Sequence, residues 1–374
     1  METDFEAMND VVVVGNGPAG AAACLALAAR GLSPVWVTPA GVAPPAVGET
    51  LSVAGVQSLQ QLGADTVLQH PDHRPENVVF SAWGRESLAE RHAMHHVLGA
   101  GRVLHREVFN AQFAALADAR ARVVSSACVG FDAEAEGWRL ALADGRVVRA
   151  RCLIDATGRR ATFGRRLTTW QRQDTLVAVQ AILGPVPADC EPTPATLVES
   201  AANGWWYVTL LPTRRLALMY FSDADLLPPR VRRDPASLLP LLHATRHVSR
   251  WLRELGLALP GSVSLHPCGT AWLQSPVGIA AAGPAWAAVG DAALALDPLS
   301  SHGISSALWS AQRAAAGVAA WLAGEAQALQ PYADALLAGR VRYGAERLAM
   351  YSQETRFAQQ PFWRRRQAPV SAGG

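Results

Sequence analysis

Apolar residues group along the chain into short β-branched runs and longer stretches rich in small residues. Near the start, Val11 to Val14 form a continuous β-branched run, which is typical of a parallel strand buried on both faces. An Ala- and Leu-rich stretch follows and ends at Gly31, and a second apolar run covers Val35 to Val37. This order predicts a strand, a helix and a second strand, as in an α/β fold.

The middle of the chain has a different pattern. The stretches "DTLVAVQAILG", "PATLVESAANGWWYVTLLPT" and "RLALMYFSD" are rich in β-formers and are separated by turn residues. They predict a second region built mainly of strands. No Gly-, Ser- or Pro-rich linker divides the two regions.

Composition narrows the class of protein. Half of the 374 residues are hydrophobic and 17% are charged, which indicates a globular chain, and the net charge of +2 argues against a nucleic-acid surface. Five scattered cysteines without a CxxC pair argue against a metal site and for a reducing compartment. The acidic start is unlike a signal peptide, and no uninterrupted apolar run is long enough to span a membrane. A cytoplasmic protein is expected. The basic tail "FWRRRQ" is interpreted as a solvated end.

A GxGxxG motif follows the first strand. Gly15 permits a tight turn, Gly17 lets the backbone approach a pyrophosphate, and Gly20 lets the helix pack closely on the strand. Between a strand and a helix, this motif predicts a dinucleotide site at the helix N-terminus. The second strand ends in Thr38, where an acid that binds a ribose hydroxyl is usual, so the adenosine end must be held differently.

Further segments of the chain point to a flavin rather than to a nicotinamide cofactor. "AVGETLSV" contains Glu49, "RVLHREVF" contains Arg106, and the apolar strand in "RCLIDATGRRA" ends at Asp155. Near the C-terminus, "VGDAALALDPLSSHG" places Asp291 in an otherwise apolar stretch.

These segments together resemble the flavoprotein monooxygenases and flavin-dependent halogenases. The resemblance implies a Rossmann-type FAD-binding domain with an inserted β-sheet substrate domain and a C-terminal helical segment. It also implies that a Gly-Asp pair binds the ribityl chain of FAD and that the helix after "DPLSSHG" points at the flavin ring. The implied cofactor residues are Gly15, Gly17, Pro18, Ala19, Gly20, Thr38, Gly48, Glu49, Thr50, Arg106, Asp155, Gly158, Gly290, Asp291, Pro298, Ser301, Gly303 and Ile304.

The same resemblance sets the predicted domain boundaries. The FAD-binding domain is expected to be discontinuous. The predicted segments are 1–76, 100–165 and 275–330 for FAD binding, 77–99 and 166–274 for the substrate sheet, and 331–374 for the C-terminal helices.

One compositional fact separates the branches of this family. All 33 basic residues are arginines, whereas halogenases of this type use a lysine to pass hypohalous acid to the substrate. "GWWYVTLLP" also departs from the Gly-Trp-x-Trp-x-Ile-Pro pattern of tryptophan halogenases. Together with "VGETL" and the end "YSQETRFAQQPFWRRR", it is closer to flavoproteins that hydroxylate a peptide-bound tryptophan during quinone-cofactor maturation.

The resemblance therefore implies an FAD-dependent monooxygenase that hydroxylates an electron-rich aromatic ring through a flavin C4a-hydroperoxide, with O2 as cosubstrate. The expected substrate is an indole in a tryptophan-containing peptide or protein. His302 is the candidate proton relay, or else a histidine that only bonds the backbone. Trp83, Trp206 and Tyr207 are candidate walls of the substrate pocket, or else core aromatics of the sheet. No metal is expected.

Other functions stay open at this point. NAD(P)H is expected to supply electrons, and the "DATG" turn favours a separate flavin reductase as their carrier. The alternatives are a monooxygenase of a free small aromatic, a flavoprotein reductase or dehydrogenase, and a non-catalytic FAD-binding chaperone. Halogenation is disfavoured because the chain has no lysine.

Overall fold

The computed structural model describes residues 7–39, 41, 49–92, 100–190, 192–278 and 284–368. Its strands are β1 (Met8–Val14), β2 (Val35–Thr38), β3 (Thr50–Leu51), β4 (His73–Pro75), β5 (Val78–Ala82), β6 (Ala89–His92), β7 (Arg102–Leu104), β8 (Arg122–Ser125), β9 (Cys128–Glu134), β10 (Gly137–Leu142), β11 (Val147–Asp155), β12 (Trp170–Arg172), β13 (Leu176–Leu183), β14 (Ala195–Ala201), β15 (Gly204–Leu210), β16 (Leu216–Asp223), β17 (Ser264–Pro267), β18 (Ala271–Leu273), β19 (Val277–Gly278), β20 (Ala285–Ala288) and β21 (Leu294–Ala295). Its α-helices are α1 (Pro18–Ala28), α2 (Val53–Gln61), α3 (Arg106–Asp118), α4 (Gly164–Leu167), α5 (Leu239–His243), α6 (His247–Glu254), α7 (Gly303–Leu322), α8 (Gln330–Ser352) and α9 (Pro361–Gln367). Within this part of the chain, no helix is both long and apolar enough to cross a membrane.

The chain divides into two compact units. The first unit comprises Met1–His70, Arg106–Arg172 and Ala271–Arg340. The second unit comprises Pro71–His105, Gln173–Thr270 and Val341–Gly374.

The first unit is an α/β layer structure, as the sequence predicts. Its main sheet has the order β19-β20-β11-β1-β2-β8, with β10 and β9 added beside β11. β1 pairs in parallel with both β2 and β11, and Val11 to Val13 are fully buried, which explains the unbroken β-branched run. Because parallel strands end at one edge of a sheet, Gly15, Thr38 and Asp155 lie at the same edge.

The second unit is dominated by a sheet of order β17-β13-β16-β15-β14-β5-β6. Its neighbouring strands are antiparallel except for β14 and β5, which are parallel. One face of this sheet packs on α5 and α6, where Leu242, Val248 and Leu252 complete a hydrophobic core. The strand-rich middle of the sequence is thus confirmed.

The C-terminal residues group differently from the separate segment 331–374 that the sequence predicts. Residues from Val341 onward cluster with the second unit. Trp363 is fully buried there, and its Nε1 donates to the carbonyl oxygen of Ala201 at 2.9 Å. Arg366 is also buried and pairs with Asp223 at 2.6 Å, so the interpretation of "FWRRRQ" as a solvated end is wrong for this residue.

Candidate cofactor and active site

The glycine-rich loop between β1 and α1 leaves space where a phosphate would bind. Gly15 has a φ of +132°, and a β-carbon on it would lie 2.1 Å from the carbonyl oxygen of Ala156. A β-carbon on Gly20 would lie 2.2 Å from the carbonyl oxygen of Gly15. Gly17, by contrast, has open space at its β-position, where no described residue beyond its chain neighbours comes within 4 Å. Two of the glycines therefore serve packing, and the third leaves the N-terminus of α1 open to an anion.

The predicted neighbours of these glycines form the start of α1. Pro18 is the first residue of the helix, where its missing N–H costs nothing. Ala19 is buried and lies against the Gly290 turn, since a β-carbon on Gly290 would lie 2.9 Å from the β-carbon of Ala19. Gly290 has a φ of +59°, and its N–H donates to the Ser310 hydroxyl at 2.8 Å. The Gly290 turn is thus fixed against the phosphate-binding helix.

A buried pair of opposite charges joins the segment "AVGETLSV" to the segment "RVLHREVF". Glu49 and Arg106 are 4% and 8% exposed, and Arg106 begins α3. Burial lowers the pKa of Arg106 to about 10, while the Glu49 carboxylate acts in the opposite direction. Arg106 therefore remains a cation at neutral pH, and such a cation suits a phosphate or a flavin carbonyl. Thr50 begins β3, and Gly48 lies outside the described residues.

Asp155 organises the turn that follows β11. One carboxylate oxygen accepts from the N–H and the hydroxyl of Thr157 at 3.0 and 2.6 Å. The other accepts from the N–H groups of Phe163 and Gly164 at 3.0 and 2.9 Å. Burial raises the pKa of Asp155, and these four hydrogen bonds oppose that effect. Both oxygens are engaged by the chain itself, so we assign Asp155 to holding the turn that contains Gly158 rather than to direct cofactor contact.

Asp291 is held by an arginine that the sequence reasoning did not select. Arg159 Nε lies 3.2 Å from Asp291 Oδ2, and Arg159 Nη2 donates to the carbonyl oxygen of Leu296 at 3.0 Å. Burial raises the pKa of Asp291, and the Arg159 cation opposes that rise. The Asp291 side chain keeps 33% exposure, so an oxygen remains accessible to a hydroxyl group. In the sequence, the arginine directly after "DATG" is the residue that could have indicated this pair.

The loop before α7 has a strained entry. Pro298 begins a short 3-10 turn that Asp297 caps by accepting from the Leu299 N–H at 3.0 Å. Ser301 then adopts a φ of 53°, which is uncommon for a residue with a β-carbon and often marks a functional loop. His302 follows with an exposed side chain that does not cap the helix.

Helix α7 begins where the sequence predicts. Gly303 is its first residue, and Ile304 beside it is buried. The N-terminus of a 20-residue helix offers free N–H groups and a positive dipole end. It is suited to the polar edge of a flavin ring. Among the described residues, no group of His, Cys, Asp and Glu could hold a metal ion.

Comparison with known proteins identifies the family, although no family model matches the chain. A menaquinone reductase of Mycolicibacterium smegmatis is 30% identical over 328 residues, which cover 82% of this chain and 75% of that protein. The FAD-dependent oxidoreductase LodB of Marinomonas mediterranea is 26% identical and covers 96% of this chain and 97% of that protein. The peptidyl tryptophan dihydroxylase QhpG, essential for tryptophylquinone cofactor biogenesis, has a TM-score of 0.74 at 25% identity and covers 98% of this chain and 80% of that one. The chain belongs to the FAD-dependent oxidoreductases.

The fold of this flavoprotein is also that of the halogenases themselves. The myxobacterial chondrochloren halogenase CndH superposes with a TM-score of 0.81 at 19% identity, covering 98% of this chain and 87% of that one. At this identity the likeness shows the fold alone. The resemblance inferred from the sequence motifs is confirmed at the level of fold, cofactor and enzyme class.

The first unit of the flavoprotein fits FAD. The open space at Gly17 and the N-terminus of α1 would hold the pyrophosphate. The Arg159-oriented carboxylate of Asp291 would accept from ribityl hydroxyls, and the start of α7 would meet the ring. Each of these groups lies in the same compact unit.

The predicted substrate aromatics lie on opposite faces of the second-unit sheet. Trp206 is fully buried in the hydrophobic core, where its ring packs on Tyr220 with centroids 4.6 Å apart. Its strand neighbour Tyr207 is half-buried and must point the other way, since side chains alternate along a strand. The burial of Trp206 favours the core interpretation, which the flavoprotein's sequence left open.

Trp83 belongs to an aromatic cluster of the second unit. Its ring contacts Trp205, Tyr351 and Trp363 at centroid distances of 6.2, 5.8 and 5.2 Å, and its Nε1 donates to the Met350 carbonyl oxygen at 2.8 Å. These contacts are enough to explain the residue structurally. Tyr207 differs from the other two predicted residues. It is partly exposed, and it belongs neither to the hydrophobic core around Trp206 nor to the aromatic cluster around Trp83.

Proposed function

We propose that this flavoprotein is a monooxygenase that hydroxylates an electron-rich aromatic ring, the indole of a tryptophan in a peptide or protein partner. The supporting observation is its 25% identity, over 98% of the chain, to a peptidyl tryptophan dihydroxylase. The likeness to LodB over nearly the full length of both proteins agrees with an FAD-dependent oxidation.

The absence of lysine separates this proposal from halogenation. The fold is shared with halogenases, yet all 33 basic residues of this chain are arginines. Transfer of hypohalous acid through a lysine ε-amine is therefore excluded for this chain. An arginine cannot replace it, because its guanidinium stays protonated at neutral pH and lacks a nucleophilic nitrogen.

The chain's own residues would position the reactants rather than attack them. Reduced FAD with O2 supplies the oxidising chemistry, with NAD(P)H as the electron source through a separate flavin reductase. An indole is electron-rich enough to react without a protein nucleophile. The protein must therefore hold the ring, exclude water and move one proton.

The decisive experiment compares oxygenation of peptide-bound and free tryptophan. FAD-loaded protein is incubated with a flavin reductase, NADH, O2 and bromide, and each substrate is analysed by mass spectrometry. We expect one or two added oxygens on a tryptophan-containing peptide and none on the matched peptide with phenylalanine in its place. Bromination of either substrate would contradict the lysine argument, and oxygenation of free tryptophan alone would contradict the peptide substrate.

A quinone reductase is the second candidate. It is favoured by the 30% identity to a menaquinone reductase over 82% of this chain. A reductase would oxidise NAD(P)H in the presence of a naphthoquinone without oxygen, and would leave the peptide mass unchanged. The anaerobic reaction therefore separates the two proposals.

His302 is expected to serve as the proton relay of this reaction. The residue is exposed, and its backbone carbonyl supports α7 by accepting from the Ser306 N–H at 2.7 Å. Replacing His302 with alanine should therefore leave the helix and bound FAD intact while lowering hydroxylation about 100-fold. The exposed His243 provides the control, as His243→Ala should hydroxylate like the unmodified protein. Equal turnover of both variants would remove His302 from the mechanism.

A further inference from the structure

Strand β2 ends in Thr38 without the acid that usually binds a ribose hydroxyl, and a groove lies beside this strand and the glycine-rich loop. Its volume is about 290 Å³, and all its lining residues belong to the first unit. They include Asn16, Trp36, Thr38 and Ser125 from the loop and the strands, and five residues of helix α3.

One wall of this groove is a single face of helix α3. Its five lining residues have the spacing i, i+3, i+4, i+7 and i+11, which places them in one stripe along a helix. The middle of the stripe consists of Ala111 and Ala114, whose small side chains leave room for a flat ring. Polar groups stand only at the ends, with Glu107 and Asn110 near the start of α3 and Asp118 at its end.

The order of α3 and β8 along the chain shows which end of α3 lies at the edge of the sheet where the parallel strands end. α3 ends at Asp118, and β8 begins at Arg122, so Asp118 lies near the amino end of β8. Glu107 lies 11 residues earlier, about 16 Å along the helix, toward the opposite edge. β8 is parallel to β2, with Ser125 paired to Thr38, so the carboxyl ends of both strands lie at the edge near Glu107.

Glu107 thus lies at the level where the second strand normally offers its acid. Its side chain is exposed, and among the described residues no hydrogen bond or ion pair engages it. Asn110, one turn further along the same face, also lines the space at Asn16, Gly17 and Pro18, so this end of α3 adjoins the phosphate loop. A ribose next to that loop would come within reach of the Glu107 carboxylate.

We propose that Glu107 accepts hydrogen bonds from the adenosine ribose hydroxyls of FAD, replacing the missing acid of β2, with the Thr38 hydroxyl across the groove. The ligand chemistry is an unphosphorylated ribose diol. A ribose 2′-phosphate would meet a carboxylate and be repelled. This assignment rests on the FAD dependence of the family and is independent of the oxidised substrate.

The test measures flavin affinity rather than turnover. Apoprotein is titrated with FAD, which has the adenosine half, and with FMN, which lacks it, and flavin fluorescence is followed. Glu107→Ala should weaken FAD about 10- to 100-fold, the effect of losing a hydrogen bond to a charged group, and should leave FMN unchanged. The FAD affinity of Glu107→Gln should lie between those of Glu107→Ala and the unmodified protein, because the amide keeps one acceptor oxygen.

Glu136→Ala is the matched control, since it removes an exposed glutamate of the same unit that lies outside the groove. It should bind FAD like the unmodified protein. Unchanged FAD affinity in Glu107→Ala, an equal loss for FMN, or an equal loss in Glu136→Ala would each overturn the assignment. Peptide oxygenation is not used in this measurement, so a failure of the monooxygenase proposal would not affect its result.

Discussion

Replacing Asp223 with alanine is expected to destabilise the second unit by about 3–5 kcal/mol, because it leaves a buried guanidinium without its carboxylate. Asp223 and Arg366 are each 1% exposed. Arg366 Nη2 donates to Asp223 Oδ1 at 2.6 Å, and its Nη1 donates to Oδ2 at 3.1 Å. This bidentate geometry connects the end of β16 to helix α9.

Asp225 offers a close control for this change. It also pairs with an arginine of α9, Arg365, at 2.7 Å, but its side chain is 57% exposed. Exposed ion pairs contribute little, so Asp225→Ala should unfold at the urea concentration of the unmodified protein. Limited proteolysis would show whether the loss in Asp223→Ala begins with release of α9. If the two variants unfold at the same urea concentration, the buried pair does not stabilise this region.

A double replacement tests whether the unpaired buried charge causes the loss of stability in Asp223→Ala. Asp223→Leu with Arg366→Met removes both charges and keeps apolar volume in the same place. Because burying two ions is costly, this variant should recover most of the stability lost in Asp223→Ala. Continued instability would indicate that the hydrogen-bond geometry, not the unpaired charge, is responsible.

The Asp223–Arg366 pair also shows what the sequence could not predict. "FWRRRQ" has the composition of a solvated tail, and nothing local distinguishes Arg366 from its neighbours. Its partner lies 143 residues earlier, at the end of a buried strand. Burial of a charge depends on such a distant partner, so neither composition nor spacing predicts it.

The phosphate loop is the opposite case. Gly20 was predictable because the oxygen that excludes its β-carbon belongs to Gly15 of the same motif, and Gly15 because its close neighbour Ala156 belongs to the recognised segment "DATG". The start of α7 at Gly303 was predictable because the segment "DPLSSHG" before it was recognised in the same way. The placement of Trp206 could have been foreseen in part, because consecutive strand residues cannot both line one pocket wall. Which of them faces the core depends on α5 and α6, which lie beyond the local pattern.

Asp155→Asn is expected to destabilise the first unit by about 2–4 kcal/mol, the cost of leaving one or two buried N–H groups without an acceptor. The aspartate is fully buried, and each of its oxygens accepts two hydrogen bonds. An asparagine keeps one oxygen and turns an NH2 group toward the other pair of donors. The Thr157 hydroxyl can rotate to accept from that NH2, but the Thr157 N–H then has no acceptor.

Asp144→Asn is the matched control for this change. Asp144 also accepts from a backbone N–H two residues later, that of Arg146 at 3.1 Å, but it lies in an exposed hairpin turn where water can replace the carboxylate. Urea unfolding should therefore shift for Asp155→Asn and stay unchanged for Asp144→Asn. In FAD titrations the folded Asp155→Asn protein should still bind the cofactor, because the space at Gly17 and the Asp291 carboxylate remain. Its affinity should be lower, because the turn around Gly158 loses its order. Normal stability with complete loss of FAD would instead make Asp155 a direct cofactor ligand and contradict its assignment to the turn.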